Sequence, residues 1–420
     1  MKVIISNGHF KFILGAVAAE LHKRGLLTLF ITAGYPSPRI ELFIRNYFKT
    51  SIGAARLLDR IENVPYDVVR SMWLSELIQK LGSYLYSADS FKNYTWYGYS
   101  MSLYSWKAKS LIKQTAADIY HYRAGYGNES VIMAKSKGMV TICDHSFVHP
   151  RVLDYLIENG GKLPATSYDP EITKFWAKVE SDINQADYII VNSDFVKETF
   201  LNRGWNASRI FVAYTGLDDN LINDKPARML EVGAQDYISF QFAGEGGPRK
   251  GLPDLLHAFQ GIDDLPWKLS IVGDIHRSVF AEYSEFLHDN RIDLIPFCSR
   301  SELLNNMGKV DVFVFPSLAE GSARVVFMAM AMGCYVITTE NSGSVVQDQL
   351  NGTIVIPSDI AGLRLAIRNT FKQKEKLKNI GAINMDLIKN KYTQSNYGAQ
   401  IVDIYKQIQS NQVNTVECIK

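Results

Sequence analysis

Apolar positions along this chain form two patterns: short unbroken runs, and stripes that recur every three or four residues. Residues 3–5 form an apolar run that predicts a strand, and the stripe that follows Gly8 predicts a helix. Gly25 predicts the end of this helix, and the apolar run at 27–32 predicts the next strand. A strand, a helix and a second strand in this order indicate a parallel sheet.

The same alternation recurs along most of the chain and divides it into two sets. The strands predicted in the first set lie at 3–5, 27–32, 119–122, 139–143, 188–192 and 211–214. Those predicted in the second set lie at 238–243, 268–272, 293–296, 312–315, 335–339 and 353–356. Helical stripes lie between the strands, including one at 279–288, and a polar, irregular connector at 220–235 separates the two sets.

We therefore predict two doubly wound, Rossmann-like α/β domains, at residues 1–222 and 223–385, followed by a helical tail at 386–420. We expect the tail to pack back on the first domain. Ligands of such sheets bind beyond the carboxyl ends of the strands, so the expected site is a deep cleft between two facing domains.

Composition narrows the classes of function. The chain has 45 basic and 43 acidic residues, and a formal net charge of +2 gives no support to a nucleic-acid-binding protein. Its four cysteines lack the spacing of a metal site, which favours free thiols in a reducing cytoplasm. The first residues lack the apolar core of a signal peptide, and no window reaches the roughly 20 apolar residues of a membrane span. We expect a cytoplasmic protein and leave open peripheral contact with the inner face of a membrane. The cysteines are Cys143, Cys298, Cys334 and Cys418.

Three loops in the second half carry the candidate chemistry, because each lies between a predicted strand and a predicted helix. The first, at 243–251, places Gly244 before the adjacent cations Arg249 and Lys250. Two cations and free backbone N–H groups at the start of a helix suit a diphosphate. A solvated turn is the alternative interpretation.

The second loop, at 316–323, places Glu320 ahead of three small residues, where it could accept hydrogen bonds from sugar hydroxyls. Its alternative role is that of an acidic residue favoured by the helix dipole. The small residues Gly321, Ser322 and Ala323 would let a ligand approach the backbone. The third loop contains Gly343, which is a candidate for binding the same ligand. A plain turn is an equally well supported interpretation of this loop.

Candidates in the first half are fewer. His145 and His149 follow the strand at 139–143, where either could bond a substrate hydroxyl or assist proton transfer. Gly8 ends the first strand and would allow close approach of a ligand to the backbone. An unusually aromatic segment at 84–106 suits either helix packing or an acceptor or membrane-interface surface.

Residues 309–359 resemble the nucleotide-sugar segment of the group 1 (family 4) glycosyltransferases, which are retaining enzymes of the GT-B fold. The string carrying the likeness begins KVDVFVFPSLAEGSARVVFMAMAMGC, and FAGEGGPRKGLPDLLHAF resembles the family's phosphate loop. The likeness covers about residues 186–359, and residues 36–116 show none. It implies that Arg249 and Lys250 hold the donor diphosphate, and that Glu320 binds donor-sugar hydroxyls. It further implies that the N–H groups of residues 321–323 lie near sugar and phosphate, and that His145 or His149 is the family's first-domain histidine.

Two positions depart from the family pattern. The second glutamate of the family's signature, which usually binds the ribose, is replaced by Met328. A basic residue often follows the first glycine of the phosphate loop, and here that residue is Glu245, so Arg249 would take over its role. The order Asp144-His145 is also inverted from the commoner His-Asp.

The function implied is transfer of a sugar, with retention, from a UDP- or GDP-sugar to a hydroxyl of a saccharide or lipid-linked saccharide, without a metal and without a nucleic-acid partner. Polysaccharide, lipopolysaccharide or glycoconjugate synthesis is the expected setting. One alternative is a sugar-nucleotide-binding protein of the same fold with weak or no transferase activity. Another is a sugar-nucleotide 2-epimerase, which the Pro-Ser-x-x-Glu-Gly string disfavours.

Overall fold

The computed structural model describes residues 1–48, 51–86, 91–165, 168–223 and 236–417, and it contains two parallel sheets. The first sheet has the order β3-β2-β1-β4-β5-β6-β7, with every neighbouring pair parallel. Its strands are buried almost throughout, as expected when helices cover both faces of a sheet. The strands are β1 Val3–Ser6, β2 Leu27–Thr32, β3 Val69–Ser71, β4 Ile119–Arg123, β5 Val140–His145, β6 Tyr188–Val191 and β7 Ile210–Val212.

Ten helices accompany this sheet among the described residues. Four of them, α2 to α5, lie between β2 and β4 in the segment for which the sequence showed no family likeness. The helices are α1 Leu14–Lys23, α2 Pro38–Tyr47, α3 Ile52–Leu58, α4 Trp73–Leu85, α5 Phe91–Gln114, α6 Glu129–Ser136, α7 Leu153–Glu158, α8 Lys174–Gln185, α9 Asp194–Asn202 and α10 Asp219–Asn223.

The second sheet has the order β10-β9-β8-β11-β12-β13 and is also parallel. The order of its strands reverses between β8 and β11, which marks the position where doubly wound sheets bind ligands. The strands are β8 Ile238–Ala243, β9 Trp267–Val272, β10 Ile292–Ile295, β11 Val312–Phe315, β12 Tyr335–Thr338 and β13 Thr353–Ile354. The helices are α11 Leu252–Gln260, α12 Arg277–Glu282, α13 Ser284–Leu287, α14 Arg300–Met307, α15 Arg324–Ala331, α16 Ile360–Lys372, α17 Lys374–Lys391 and α18 Gln394–Glu417.

The prediction of two doubly wound α/β domains is confirmed, although β3 was not predicted and two predicted elements are wrong. The helix predicted at 279–288 is two short helices, α12 and α13, which meet at Tyr283. The last predicted strand, at 353–356, is shorter, because only residues 353–354 pair with β12. The domain boundary at 222/223 remains a prediction, since residues 224–235 lie outside the described residues.

The helices at the end of the chain contribute to different cores. Ile388 of α17 belongs to the apolar core of the second domain. The next helix, α18, crosses back and packs on α1, where Tyr397, Ile401 and Tyr405 complete a core of the first domain. The crossing is fixed by backbone bonds on both sides of Thr393, since Leu217 N–H donates to Tyr392 O and Gln394 N–H donates to Leu217 O. Helix α18 therefore holds the second domain against the first.

Two further sequence observations have structural counterparts. Cys143 and Cys334 are buried free thiols, Cys298 is a half-buried one, and Cys418 lies outside the described residues. Among the helices in the described ranges, none combines the length and the apolar character that crossing a bilayer requires.

Candidate active site

A cavity with a volume of 660 Å³ lies at the point where the second sheet reverses its strand order. We call it the main cavity. Its walls come from the loops that follow β8, β9, β10 and β11, from α14 and from the first turn of α15. It therefore contains the first two candidate loops of the sequence, which bring Gly244, Arg249, Lys250, Glu320, Ser322 and Ala323 together.

The phosphate-type loop is held against the loop that carries Glu320 by its backbone. Gly251 has a φ of +74°, and a Cβ there would overlap the carbonyl oxygen of Pro316. The carbonyl of Arg249 accepts bonds from Leu318 N–H, at 2.9 Å, and from Ser317 Oγ, at 3.0 Å. Only glycine at position 251 combines this conformation with this close approach. The two loops consequently form one rigid wall of the main cavity.

The three charged candidates meet on that wall. Arg249 Nη1 lies 2.5 Å from Glu320 Oε1, and Lys250 Nζ contacts the same oxygen. Ser317 Oγ donates a longer bond, of 3.4 Å, to this atom. Burial lowers the pKa of Lys250, and Glu320 opposes that effect. Two cations thus share one carboxylate oxygen at the edge of a cavity that could hold a larger anion.

The backbone at 321–323 is placed differently from what the resemblance implies. Ala323 N–H donates to Ser342 O at 2.9 Å, so it is already used inside the second domain. Gly321 faces the first domain, where its carbonyl accepts from Ser193 Oγ at 2.5 Å. Ser322 lines the cavity, and its buried hydroxyl has no hydrogen-bond partner among the described residues. Of these three positions, Ser322 is the one with a free polar side-chain atom.

Gly343 lies outside the main cavity and makes a contact between the domains. Its φ is +58°, and a Cβ there would overlap the carbonyl of Gly321 and lie 2.7 Å from Ser193 Oγ. The glycine is required by this three-way contact. Its assignment to donor binding stays a prediction, because Gly343 does not line the main cavity.

The two candidate histidines are buried in the first domain and do not line the main cavity. His145 Nε2 lies 3.2 Å from Val148 O, and the residue lines a smaller cavity of 190 Å³. His149 Nδ1 accepts from Arg151 N–H at 3.2 Å, and its ring packs edge-on against Phe200. Burial lowers the pKa of His145 to about 4 and that of His149 to about 3, so both rings are neutral at pH 7.

Gly8 packs beside the smaller cavity, which we call the aromatic cavity, and this packing accounts for a glycine at position 8. This glycine has a φ of +74°, and a Cβ would lie 2.7 Å from the ring of Tyr126, which lines the cavity. Gly8 N–H donates to the Tyr104 hydroxyl at 3.2 Å. The described geometry gives Gly8 a packing role beside the aromatic cavity.

Phe297 and Ile275 are among the side chains of the main cavity that the sequence did not single out. Phe297 is 80% exposed and lines the cavity after β10, and Ile275 lines it after β9. An aromatic residue just past a strand of a doubly wound sheet was the available signal for Phe297. Glu245, which replaces the basic residue of the family pattern, lies 2.7 Å from His276 Nε2 and 3.9 Å from Arg249.

Met328 lies one turn after Arg324 on α15 and is only 7% exposed. It packs in the apolar core of the second domain and does not line the main cavity. The position at which methionine replaces the family's second glutamate is therefore a core position. The Met328 side chain offers no hydrogen-bond acceptor to a ribose.

Met328→Glu is expected to destabilise the protein by at least about 2 kcal/mol, because the new carboxylate would be buried among apolar side chains. The family pattern alone would suggest tighter donor binding instead. Thermal unfolding followed by calorimetry separates the two, with Met328→Leu as the control that keeps volume and polarity. An unchanged midpoint together with tighter binding of UDP would contradict the core placement.

Comparisons with known proteins agree with this geometry. A model of the family described as "Glycosyl transferases group 1" matches residues 239–373, which include both charged loops. The chain is also similar to the capsular polysaccharide biosynthesis glycosyltransferase CapM of Staphylococcus aureus, with 25% identity over 227 residues. That alignment covers 51% of this chain and 58% of CapM, so the chain spans less than two thirds of this relative's length.

Solved structures align over nearly the whole chain. Sucrose-phosphate synthase of Thermosynechococcus elongatus aligns with a TM-score of 0.65 and 17% identity, over 98% of this chain and 100% of its own. A glycosyltransferase of Rickettsia africae aligns with a TM-score of 0.64 and 16% identity, over 98% of this chain and 99% of its own. HepE of Anabaena, solved in complex with UDP-glucose, aligns with a TM-score of 0.60 and 15% identity, over 97% of this chain and 100% of its own.

The two parallel sheets and these alignments define a protein of the GT-B fold, as the sequence predicted. Through residues 239–373 of its second domain, the chain is similar to the group 1 glycosyltransferases.

Proposed function

We propose that this protein transfers a sugar from a nucleoside-diphosphate sugar to a hydroxyl acceptor, with retention at the anomeric carbon. The convergence of Arg249, Lys250 and Glu320 on one wall of the main cavity carries the proposal. The two cations bind the diphosphate, and the carboxylate accepts hydrogen bonds from the hydroxyls of the donor sugar. Glu320 offsets one of the two positive charges, so one positive charge of this group is left for a diphosphate.

The chemistry follows from where charge develops. A bond forms between the acceptor oxygen and the anomeric carbon while the bond from that carbon to the diphosphate breaks. The bonding pair leaves with the nucleoside diphosphate, and the proton of the acceptor hydroxyl passes to the departing phosphate oxygen. Arg249 and Lys250 stabilise the negative charge on the leaving group, and attack on the face that it leaves gives retention.

We propose UDP as the nucleotide of the donor. The exposed ring of Phe297 and the side chain of Ile275 offer an apolar surface for a base in the same cavity as the two cations. The structure of HepE in complex with UDP-glucose, on the same fold, supports this choice.

A second candidate is a protein that binds the sugar nucleotide and turns it over poorly. Met328 favours it, because this side chain replaces the carboxylate that usually binds the ribose and lies in the core. Both candidates require donor binding, and only the first requires nucleotide release with an acceptor.

A panel of UDP- and GDP-sugars tests the two candidates in one experiment. Thermal shift reports binding, and coupled detection of released nucleotide reports turnover. The proposed function predicts a shift and release with at least one UDP-sugar. The absence of a shift with every donor would refute it, and a shift without release on a broad acceptor panel would favour the second candidate.

The similarity to CapM supports an acceptor that belongs to polysaccharide or glycoconjugate synthesis, and we propose that the enzyme works at an anionic membrane surface. Five large apolar side chains lie on the outer face of α4 and are 47–87% exposed. The neighbouring helix α5 has four lysines and no acidic residue in its 24 positions. Of these lysines, Lys92 lies at the end of α4, 5.5 Å from the centre of the Tyr86 ring. An apolar stripe with a cation at its end matches the surface of an anionic bilayer. The stripe consists of Leu74, Leu77, Leu81, Tyr84 and Leu85.

The double variant Leu77→Asp/Leu81→Asp is expected to bind vesicles of phosphatidylcholine and phosphatidylglycerol at least about tenfold more weakly than the wild type. The charges oppose insertion of the stripe and repel the anionic lipid. Co-sedimentation measures the change. Leu365→Asp, on an exposed leucine of α16 in the second domain, is the matched control and should bind as the wild type does. Equal loss in the control, or no binding by the wild type, would contradict a membrane role for the stripe.

A further inference from the structure

The main cavity is the first of three cavities that share walls. A cavity of 350 Å³, which we call the cleft cavity, has Ser322 and Arg324 in common with the main cavity. The aromatic cavity, of 190 Å³, has Phe12 and Ser146 in common with the cleft cavity. The series therefore leads from the donor wall of the second domain, across the cleft, into the first domain.

Two residues that line the cleft cavity each carry a buried polar side-chain atom that lacks a hydrogen-bond partner among the described residues. One is Ser322 Oγ, and the other is Asn192 Oδ1, whose residue is 7% exposed. The amide of Asn192 is oriented by its own nitrogen, which donates to Ser146 O at 3.1 Å. Because buried polar groups are nearly always paired, two free atoms on one small cavity indicate a hydroxylated ligand.

The aromatic cavity has the walls of a sugar-ring site. Tyr97, Phe175 and Trp176 line it as a connected cluster, with ring centroids 5.5 Å apart for Tyr97 and Phe175 and 5.2 Å apart for Phe175 and Trp176. Arg123 and Asp144 supply charged groups at the same cavity. Aromatic faces pack against the C–H surface of a pyranose ring, and polar groups at the edge bond its hydroxyls.

We propose that the acceptor is a saccharide of at least two rings. Its terminal ring lies in the cleft cavity, where Ser322 Oγ and Asn192 Oδ1 position the attacking hydroxyl, and the preceding ring lies in the aromatic cavity against Trp176. The inference rests on the proposed function, because the order of the two rings is assigned from the position of the donor in the main cavity. A single sugar or a small alcohol would fill only the first of these two positions and would bind weakly.

Acceptor length is the direct test. The probes are methyl glycosides of glucose, galactose and N-acetylglucosamine, each as a mono-, di- and trisaccharide, assayed for kcat/KM with the donor identified by thermal shift. We expect kcat/KM to rise at least about tenfold from mono- to disaccharide in the responding series, since a second ring contributes its own contacts. Equal values for mono- and disaccharides would overturn the inference.

The failures of the two proposals are distinguishable in the same assay. Donor that is bound and slowly hydrolysed, with no acceleration by any saccharide, overturns the acceptor inference and leaves the donor half of the proposed function standing. Donor that is neither bound nor hydrolysed refutes the proposed function itself.

Trp176→Ala assigns the second ring to the aromatic cavity. We expect KM for the disaccharide to rise about tenfold, with the monosaccharide little affected, so that the ratio of the two kcat/KM values falls. Trp106→Ala, at a tryptophan of α5 that lines none of the three cavities, is the control. Phe175→Ala, at a ring that lines the aromatic cavity and not the cleft cavity, replaces Trp176→Ala if the latter does not fold. An unchanged ratio in a folded variant would overturn the assignment.

Discussion

Glu320→Ala is expected to lower the rate of sugar transfer by at least about a hundredfold, because a charged group that acts on the donor sugar is removed from a largely buried site. The fold should survive. The carboxylate lies at the wall of a cavity, and its loop is held by backbone bonds, such as that from Glu320 N–H to Asn341 O at 3.0 Å. Steady-state release of nucleotide measures the rate, and circular dichroism confirms the fold.

The same variant should bind UDP alone at least as tightly as the wild type does. One oxygen of Glu320 is shared by Arg249 and Lys250, so the carboxylate competes with a diphosphate for both cations. Calorimetric titration with UDP measures this effect. Near-normal transfer by Glu320→Ala would remove the carboxylate from the mechanism, and a large loss of UDP affinity would show that it organises the cations instead of competing for them.

The sequence predicted the strands of the second domain that carry the site, whereas it missed β3 of the first domain, which has only three residues. The strands at 238–243 and 312–315 agree residue by residue with β8 and β11, and the loops after them form the main cavity. Charged residues that follow strands of one parallel sheet necessarily meet at its carboxyl edge. The meeting of Arg249, Lys250 and Glu320 is a consequence of that rule.

What the sequence could not predict depends on contacts between distant segments. Gly321 and Gly343 look like ligand-binding glycines in their loops, yet the structure uses both where the second domain touches Ser193 of the first. The tail was expected to pack on the first domain, yet no local pattern states that Tyr397 of α18 donates a hydrogen bond to Asp144 Oδ2 there, 3.0 Å away. Periodicity identifies an apolar face, and it does not identify the partner of that face.

Arg249→Ala and Lys250→Ala are each expected to lower kcat/KM about a hundredfold, because each removes a positive charge from the position where the leaving diphosphate gains negative charge. The contacts between the two loops should survive in Arg249→Ala. They use its backbone carbonyl, which accepts from Leu318 N–H and from Ser317 Oγ, so the substitution removes the charge and leaves the wall standing. The losses should not add in the double variant, since both cations act on one diphosphate and are coupled through Glu320.

Arg368→Ala is the matched control for charge, because Arg368 is a cation of the same domain paired with Asp264 on the surface, away from the main cavity. It should leave kcat/KM within about twofold of the wild type, as exposed ion pairs contribute little. Raising the salt concentration should weaken UDP binding to the wild type more than to Lys250→Ala, because the variant has one charge fewer to screen. Wild-type kcat/KM in either loop variant, with the control unchanged, would mean that the leaving group is stabilised elsewhere. The N-terminus of helix α15 is the remaining group expected to stabilise that charge, since the first turn of this helix lines the same cavity.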